Sequence, residues 1–453
     1  MSIDRAFSQG AAGSDRYTST VNVASRIGGH AGQTRPSCLL SAGMFFVLHS
    51  VIDKNLSADR KMISLSDADL RALNTFGLPS QCSEVRLWSD PDELVRYLSS
   101  LSANERARVN LSGELSNTVL GEVIEGPLFL FRDGQVEDIW TTDEFVRVRV
   151  AGSCRFDSLV AELCEAGVAG LELLSGIPGT VGAAIVQNIA AYGQRISNRV
   201  LGVRVYDIQS ATIRDLDPAL LNFSYRTSSL KTADSYTPPM IVLDTVFEFP
   251  RNVPPDKIEY EDLRRHHAEC DRSPDDLLAR RATVLEVRQR KGMVVDQHNW
   301  VPSAGSFFIS PVVAKDTALQ LATLVRGAKF AESFFSWYRP DANVTRFPAA
   351  LLMRAAGFLN GDQWGPVGLS PHHVVAICAY PGASGSDVMS LASLVQAQIR
   401  ERFEVRLDPE VRLLGSLAHR DLQFFLDRHQ LVPGMGEPGW ALGLGTPDLP
   451  SSS

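Results

Sequence analysis

The sequence predicts an α+β protein, and two observations carry the prediction. Short apolar strand patterns alternate with amphipathic helix patterns along the chain, and the strand patterns are a mixture of half-buried and fully buried kinds. Val146, Val148 and Val150 alternate with arginines, as one face of a half-buried strand does. Phe156, Leu159, Val160 and Leu163 follow at i, i+3, i+4 and i+7, the stripe of a packed helix. Leu128–Phe131 and Ile241–Val246 are short apolar runs suited to buried strands. Val388, Leu391, Val395 and Ile399 mark a second amphipathic helix, which Ser386-Asp387 would cap. This mixture argues against an all-parallel doubly wound sheet, and no internal repeat is present.

The chain has 453 residues, enough for about two or three domains. Its hydrophobic content of 44% and charged content of 21% place it among globular proteins. A net charge of −8 without a basic run argues against nonspecific nucleic-acid binding, while a few local cations could still hold a small anion. The six cysteines form no C-x-x-C and no histidine pairing at zinc-finger spacing, so free buried thiols and no metal are expected. No apolar run reaches the roughly 18 residues of a membrane span. The polar N-terminus lacks the apolar core of a secretory signal, so the expected location is the cytoplasm. Residues 1–65, with one apolar patch at Leu39–Val51, read as an extension; 418–453 reads as a Gly- and Pro-rich tail.

Residues 175–193, SGIPGTVGAAIVQNIAAYG, are the most informative stretch. Glycines at 176, 179, 182 and 193 let the backbone approach a phosphate or a flat ring, because no Cβ stands in the way. The segment is neither G-x-G-x-x-G nor a Walker loop. Alone, it fits a glycine-rich turn between packed elements equally well. Gly113-Glu-Leu-Ser-Asn117 can offer hydroxyl, amide and backbone donors to a pyrophosphate, or be an ordinary Asx turn. In Phe223-Ser-Tyr-Arg-Thr-Ser-Ser-Leu-Lys231, Arg226 can clamp a carboxylate or lie solvated on the surface. Lys291-Gly-Met is followed by Ser303-Ala-Gly-Ser-Phe-Phe308, where Ser306 precedes two aromatics without an esterase elbow. In Leu407-Asp-Pro-Glu-Val-Arg412, Glu410 precedes a predicted strand and would ordinarily be solvated or salt-bridged.

Taken together and in this order, IPGTVGAA, QNIAAYG, YRTS, AGSFF and DPEVR resemble the UDP-N-acetylenolpyruvoylglucosamine reductase (MurB) family, from Asn74 to about Gly415. The chain is similar to the long-loop (type I) subclass, as a diverged member; Gly357, Ser370 and His373 also match. The resemblance implies an FAD-binding fold of the vanillyl-alcohol-oxidase kind in two subdomains, plus a C-terminal α+β substrate domain. It implies 66–147 as the first subdomain, completed by 404–417, then 148–300 as the second and 301–403 as the substrate domain. FAD is the implied cofactor and NADPH the co-substrate. Gly113, Glu114, Ser116 and Asn117 would serve the FAD pyrophosphate. Ser175, Ile177, Pro178, Gly179, Thr180, Gly182, Ala183 and Asn188 would line the flavin. Tyr192, Lys291 and Ser310 fall on substrate-side positions, and Tyr260 in IEYEDL is similar to the tyrosine that closes over the substrate pyrophosphate. Arg226, Ser306 and Glu410 match the catalytic set: carboxylate neutralisation, protonation of C2 and stabilisation of the enolic intermediate.

The implied reaction is NADPH-driven reduction of UDP-N-acetylglucosamine enolpyruvate to UDP-N-acetylmuramate in peptidoglycan synthesis, by a monomer or weak oligomer with a nucleotide-sugar partner. Three positions depart from the family pattern. Leu115 stands where a glycine is usual, at a cost of about 1 kcal/mol should φ be positive. Ser310 and Ala379 each replace an asparagine. The departures leave open a diverged flavoprotein acting on a related enolpyruvyl or nucleotide substrate, and a catalytically silent ligand-binding protein on the same fold.

Overall fold

The structure is a computed structural model that describes residues 62–231, 239–295, 301–326 and 344–417. Leu39–Val51 and the expected tail lie outside the described residues. The boundary expected at residue 65 falls inside the first strand.

The first sheet contains β1 (Met62–Asp69), β2 (Gln81–Trp88), β3 (Asn110–Ser112), β5 (Val123–Ile124) and β6 (Leu128–Phe131). The intervening β4 (Thr118–Leu120) pairs elsewhere. β1 runs antiparallel to β2, whereas β5 and β6 run parallel to β2, and β3 runs parallel to β6. Such parallel neighbours need crossovers, which α1 (Pro91–Ser100) and the single turn α2 (Ala103–Arg106) supply between β2 and β3. α1 starts where it does because the Asp90 carboxylate accepts the Asp92 and Glu93 amides and Pro91 occupies the first turn.

The second sheet is wholly antiparallel. It contains β7 (Val136–Thr141), β8 (Phe145–Ala151), β11 (Val200–Asp207), β12 (Thr212–Leu216) and β13 (Met240–Pro250), in the order β12-β11-β13-β8-β7. β8 shows the expected alternation, with Val146, Val148 and Val150 buried. α3 (Phe156–Glu165) and α4 (Val181–Gln187) pack on this sheet. Phe156, Leu159, Val160 and Leu163 are essentially inaccessible, each burial contributing about 1.5–3 kcal/mol. The minimal hairpin β9 (Ala190–Ala191) with β10 (Gln194–Arg195) follows α4. The division expected at 147/148 therefore needs correction. It cuts through β8, and the β7–β8 pairing carries residues from 136 onward into the second sheet.

After β13 come α5 (Glu261–Glu269) and α6 (Leu277–Arg290), which pack on each other. The C-terminal part holds β14 (Val312–Ala314) paired with β15 (Val344–Arg346), the sheet β16 (Gln363–Trp364), β17 (Val367–Leu369) and β18 (Ile377–Ala379), and helices α6's successors α7 (Lys315–Arg326), α8 (Ala349–Ala355) and α9 (Gly385–Phe403). β19 (Arg412–Leu414) returns to pair in parallel with β4. Residues 301–403 do not enclose a separate core: Phe307, Leu352, Val388 and Val395 share one buried cluster with Leu73, Val85, Val119 and Leu128. The cap expected at Ser386-Asp387 also moves. Ser384 is the N-cap and Asp387 closes a capping box, while Ser386 donates to Glu122 at 2.7 Å.

Candidate functional site

Two short segments face each other across a cleft of about 320 Å³. One wall is Ser112–Thr118, the turn from β3 to β4. The other is Ile177–Gln187, the entry to α4 and the helix itself. Backbone bonds strap the second wall down: Val181 N–H donates to Cys154 O and Gly182 N–H to Gly152 O, each at 2.8 Å. The Glu114 carboxylate spans the walls by accepting the Gly179 amide at 2.9 Å, and it lies 3.2 Å from Arg155.

Glycine is required at two of these places. A Cβ on Gly113 would lie 2.6 Å from Thr180 Oγ1. Gly179 has φ +111°, and a Cβ there would meet Ser116 Oγ at 3.2 Å. Leu115 does have positive φ, at 52°. It is also 1% exposed and belongs to the main core cluster, so side-chain burial offsets the backbone strain. The cleft has the character a dinucleotide with a flat ring needs. Hydroxyls and amides of Ser112, Ser116, Asn117 and Thr180 gather at one part, while Phe131, Ile177, Ile189 and Val242 supply apolar walls.

Of the residues expected at the cofactor, Gly113, Ser116, Asn117, Ile177, Pro178, Gly179, Thr180, Gly182 and Ala183 line this cleft. Glu114, Ser175 and Asn188 do not; they hold the walls from behind. Ser175 is fully buried and donates to Glu172 O at 2.6 Å. Asn188 caps α4 in the left-handed conformation and donates to Ser224 O at 2.7 Å, joining α4 to the loop that carries Arg226.

Arg226, Ser306 and Glu410 come together on the same cleft from three distant segments. Ser224 and Thr227 exchange backbone bonds of 3.0 and 3.3 Å, closing a two-residue turn whose second position is Arg226, at φ +58°. A left-handed arginine costs about 1–2 kcal/mol, and such strain gathers at functional sites. Arg226 Nε lies 3.2 Å from Glu410 Oε1, at ion-pair distance but without hydrogen-bond alignment. Ser306 and Glu410 are placed by backbone pairing of their segments, since Glu410 N–H donates to Phe307 O at 2.7 Å and Ile309 N–H to Asp408 O at 2.8 Å.

The expected substrate-side residues divide. Tyr192, Tyr260 and Lys291 form a cluster beside the cleft rather than lining it, one residue away from the lining Ala191 and Gly292. Tyr192 and Tyr260 meet edge to face at 5.5 Å, and Lys291 Nζ stands 5.8 Å from the Tyr192 ring centre while pairing with Asp262. Ser310 is likewise absent from the lining, and its hydroxyl accepts the Ala349 amide at 3.4 Å at the start of α8.

The sequence reading placed Gln187 within the segment 175–188 along the flavin without a role of its own, and Lys231 and Arg288 are among the lining residues to which it gave none. Gln187 Nε2 donates to Glu410 Oε1 at 3.2 Å. Lys231 donates to Arg226 O at 3.2 Å, and burial lowers the pKa of its ammonium. Arg288 donates to the carbonyls of Gly176 and Met293 at 3.2 and 3.3 Å; burial lowers its pKa, with Tyr192 opposing, and its Nε has no hydrogen-bond partner. Gln187 and Lys231 lie inside motifs already quoted, so neighbourhood was the available signal. Arg288 sits three residues before Lys291, one helical turn away, with nothing else to mark it.

Residues 296–414 match the UDP-N-acetylenolpyruvoylglucosamine reductase C-terminal domain, and residues 85–217 match an FAD binding domain. The chain is 33% identical over 342 residues to the UDP-N-acetylenolpyruvoylglucosamine reductase of Thermobifida fusca, covering 75% of this chain and 95% of that one. It is 36% identical over 275 residues to the Mycobacterium leprae protein of the same name, covering 59% of this chain and 72% of that one. The crystal structure of the Thermus caldophilus protein of that name superposes with a TM-score of 0.51 at 22% identity, covering 78% of this chain and 99% of that one; this likeness concerns the fold.

Proposed function

The chain belongs to the UDP-N-acetylenolpyruvoylglucosamine reductase family, and we infer that it is an FAD-dependent, NADPH-driven oxidoreductase reducing that nucleotide sugar in peptidoglycan synthesis. The observation that supports the reading most is the convergence of Arg226, Glu410 and Ser306 on a cleft whose other walls are glycine-rich. Bound there, FAD supplies hydride transfer from NADPH to the substrate.

The chain's own residues do the rest. Gly113, Ser116, Asn117 and Thr180 would hold the FAD pyrophosphate, and Ile177, Pro178, Gly179, Gly182 and Ala183 would line its ring system. Glu114, Ser175 and Asn188 keep those walls in place. Arg226 receives the enolpyruvyl carboxylate, sharing its charge between that group and Glu410. Gln187 holds the Glu410 carboxylate in position. As negative charge develops from C2 onto the substrate carboxylate, the Arg226–Glu410 pair stabilises it, a preorganised effect of about 3 kcal/mol. Ser306 delivers its hydroxyl proton to C2. A hydroxyl is a weak acid, but a carbanion-like carbon is a strong base, so position matters more than acidity. Tyr192, Tyr260 and Lys291 take the substrate pyrophosphate at the edge of the cleft.

We propose that the protein acts as a monomer or weak oligomer. We propose the cytoplasm as its location, in keeping with NADPH and nucleotide-sugar reactants. Among the described residues no helix is long and apolar enough to cross a membrane. The test is direct: FAD-loaded protein should be reduced by NADPH and reoxidised by UDP-N-acetylenolpyruvoylglucosamine. Reduced protein that ignores this substrate would overturn the assignment.

A further inference from the structure

Away from the cleft, on the outer side of the α5–α6 pair, His266, Cys270 and Glu286 bring one ligand atom each to within 4.8 Å of one another. The lack of C-x-x-C and zinc-finger spacing led to the expectation of no metal. That criterion misses this group, because His266 and Cys270 are one helical turn apart at the end of α5 and Glu286 arrives from α6. We propose that His266, Cys270 and Glu286 form a binding site for a single divalent transition ion of the zinc class.

The ligand set suits such an ion: one imidazole, one thiolate and one carboxylate, with a fourth position for water. Zinc bonds of about 2.0–2.3 Å in a tetrahedron set ligand atoms roughly 3.3–3.6 Å apart. Cys270 Sγ is 3.9 Å from both Nδ1 and Nε2 of His266, so it lies beside the ring, and a rotation of the Cys270 side chain brings it to the Nε2 side on ion binding. His266 Nε2 and Glu286 Oε2 are 2.6 Å apart, a hydrogen bond that the ion would replace by opening the pair slightly.

The surroundings fit as well. Arg272 donates to Glu286 Oε1 at 2.6 Å and Oε2 at 3.1 Å. Each carboxylate oxygen carries two lone pairs, so Oε2 can keep Arg272 and still bind an ion. Cys270 is exposed, whereas Cys82, Cys154, Cys164 and Cys378 are buried. Burial pushes the Cys154 and Cys164 thiols up to about 12, which removes them as competing ligands. The ion would tie the end of α5 to the middle of α6, the pair whose outer ends are Tyr260 and Lys291. The site stands on its own geometry and does not depend on the catalytic reading.

The test is zinc titration of the FAD-loaded protein in a Cys38→Ser background, followed by calorimetry, thiol-reagent kinetics and zinc X-ray absorption. The expected result is one zinc per chain, protection of Cys270 from the reagent, and one sulfur at about 2.3 Å from the metal. Cys270→Ser and His266→Gln should each weaken binding at least about tenfold. The thiol-protection and absorption readouts need no change in the three ligands, so they decide the matter even where a variant folds poorly. Absence of saturable binding, a sulfur-free zinc environment, or affinity in either variant unchanged from the parent protein would overturn the site.

Discussion

The Glu410 carboxylate oxygen that lies 3.2 Å from Arg226 Nε also accepts the Gln187 side-chain amide at 3.2 Å. One oxygen thus links the turn that carries Arg226, the last residue of α4 and the segment before β19. Glu410→Gln keeps the shape and removes the charge. Turnover of the nucleotide sugar should fall about 100- to 1,000-fold, with substrate affinity close to normal and NADPH consumption in the first half-reaction intact. Steady-state and single-turnover kinetics check this, and undiminished turnover would remove Glu410 from the mechanism.

Ser306 is aligned with Glu410 by backbone bonds to Phe307 and Ile309, so its replacement should not disturb the cofactor walls. Ser306→Ala is expected to slow reduction of the nucleotide sugar by about 100- to 10,000-fold while sparing reduction of the bound cofactor by NADPH. Rapid-mixing measurement of the two half-reactions separates these effects. Equal loss in both would exclude proton donation as the role of Ser306.

Leu115 sets two terms against each other. Its positive φ costs about 1–2 kcal/mol, and removing a buried leucine with the cavity it leaves costs about 2.7–5 kcal/mol. Packing wins, so Leu115→Gly should destabilise the protein by about 1–3 kcal/mol despite relieving the backbone. Urea unfolding at constant m-value reports the sign.

His373 provides a pH signature. Burial, helped by the nearby Lys291 and Arg354 cations, lowers its pKa from 6.5 to about 4, and its Nδ1 is buried without a hydrogen-bond partner. The folded pKa is below the unfolded one, so the unfolded chain takes up the proton first. The corresponding stability is present in full above pH 6.5 and is lost as pH falls towards about 4. His373→Asn should therefore lose less stability than the parent over that interval, as measured by urea midpoints across pH. Identical pH slopes would contradict a neutral buried imidazole.

Much of the fold was legible because its elements carry local signals. The β8 alternation and the α3 stripe each follow from one buried face. Sheet membership was not legible, since only strand pairing puts β7 with β8 and merges residues 301–403 with the first core. The α9 cap was ambiguous because Ser384 and Ser386 both precede the apolar stripe, and the reciprocal bond from Asp387 selects Ser384. Arg226, Ser306 and Glu410 could be named from their motifs. The bond from Gln187 to Glu410 and the placement of Lys231 and Arg288 needed the three-dimensional meeting of distant segments, as did the bond between Ser310 and Ala349.

The central claim is that this cleft reduces UDP-N-acetylenolpyruvoylglucosamine. Anaerobic stopped-flow spectroscopy tests it most directly: FAD-loaded protein is reduced with one equivalent of NADPH and mixed with the nucleotide sugar. Rapid return of the oxidised absorbance, slowed by orders of magnitude in Ser306→Ala, is the result expected. Absorbance that stays bleached at saturating nucleotide sugar, or that returns equally fast in Ser306→Ala, would contradict the account.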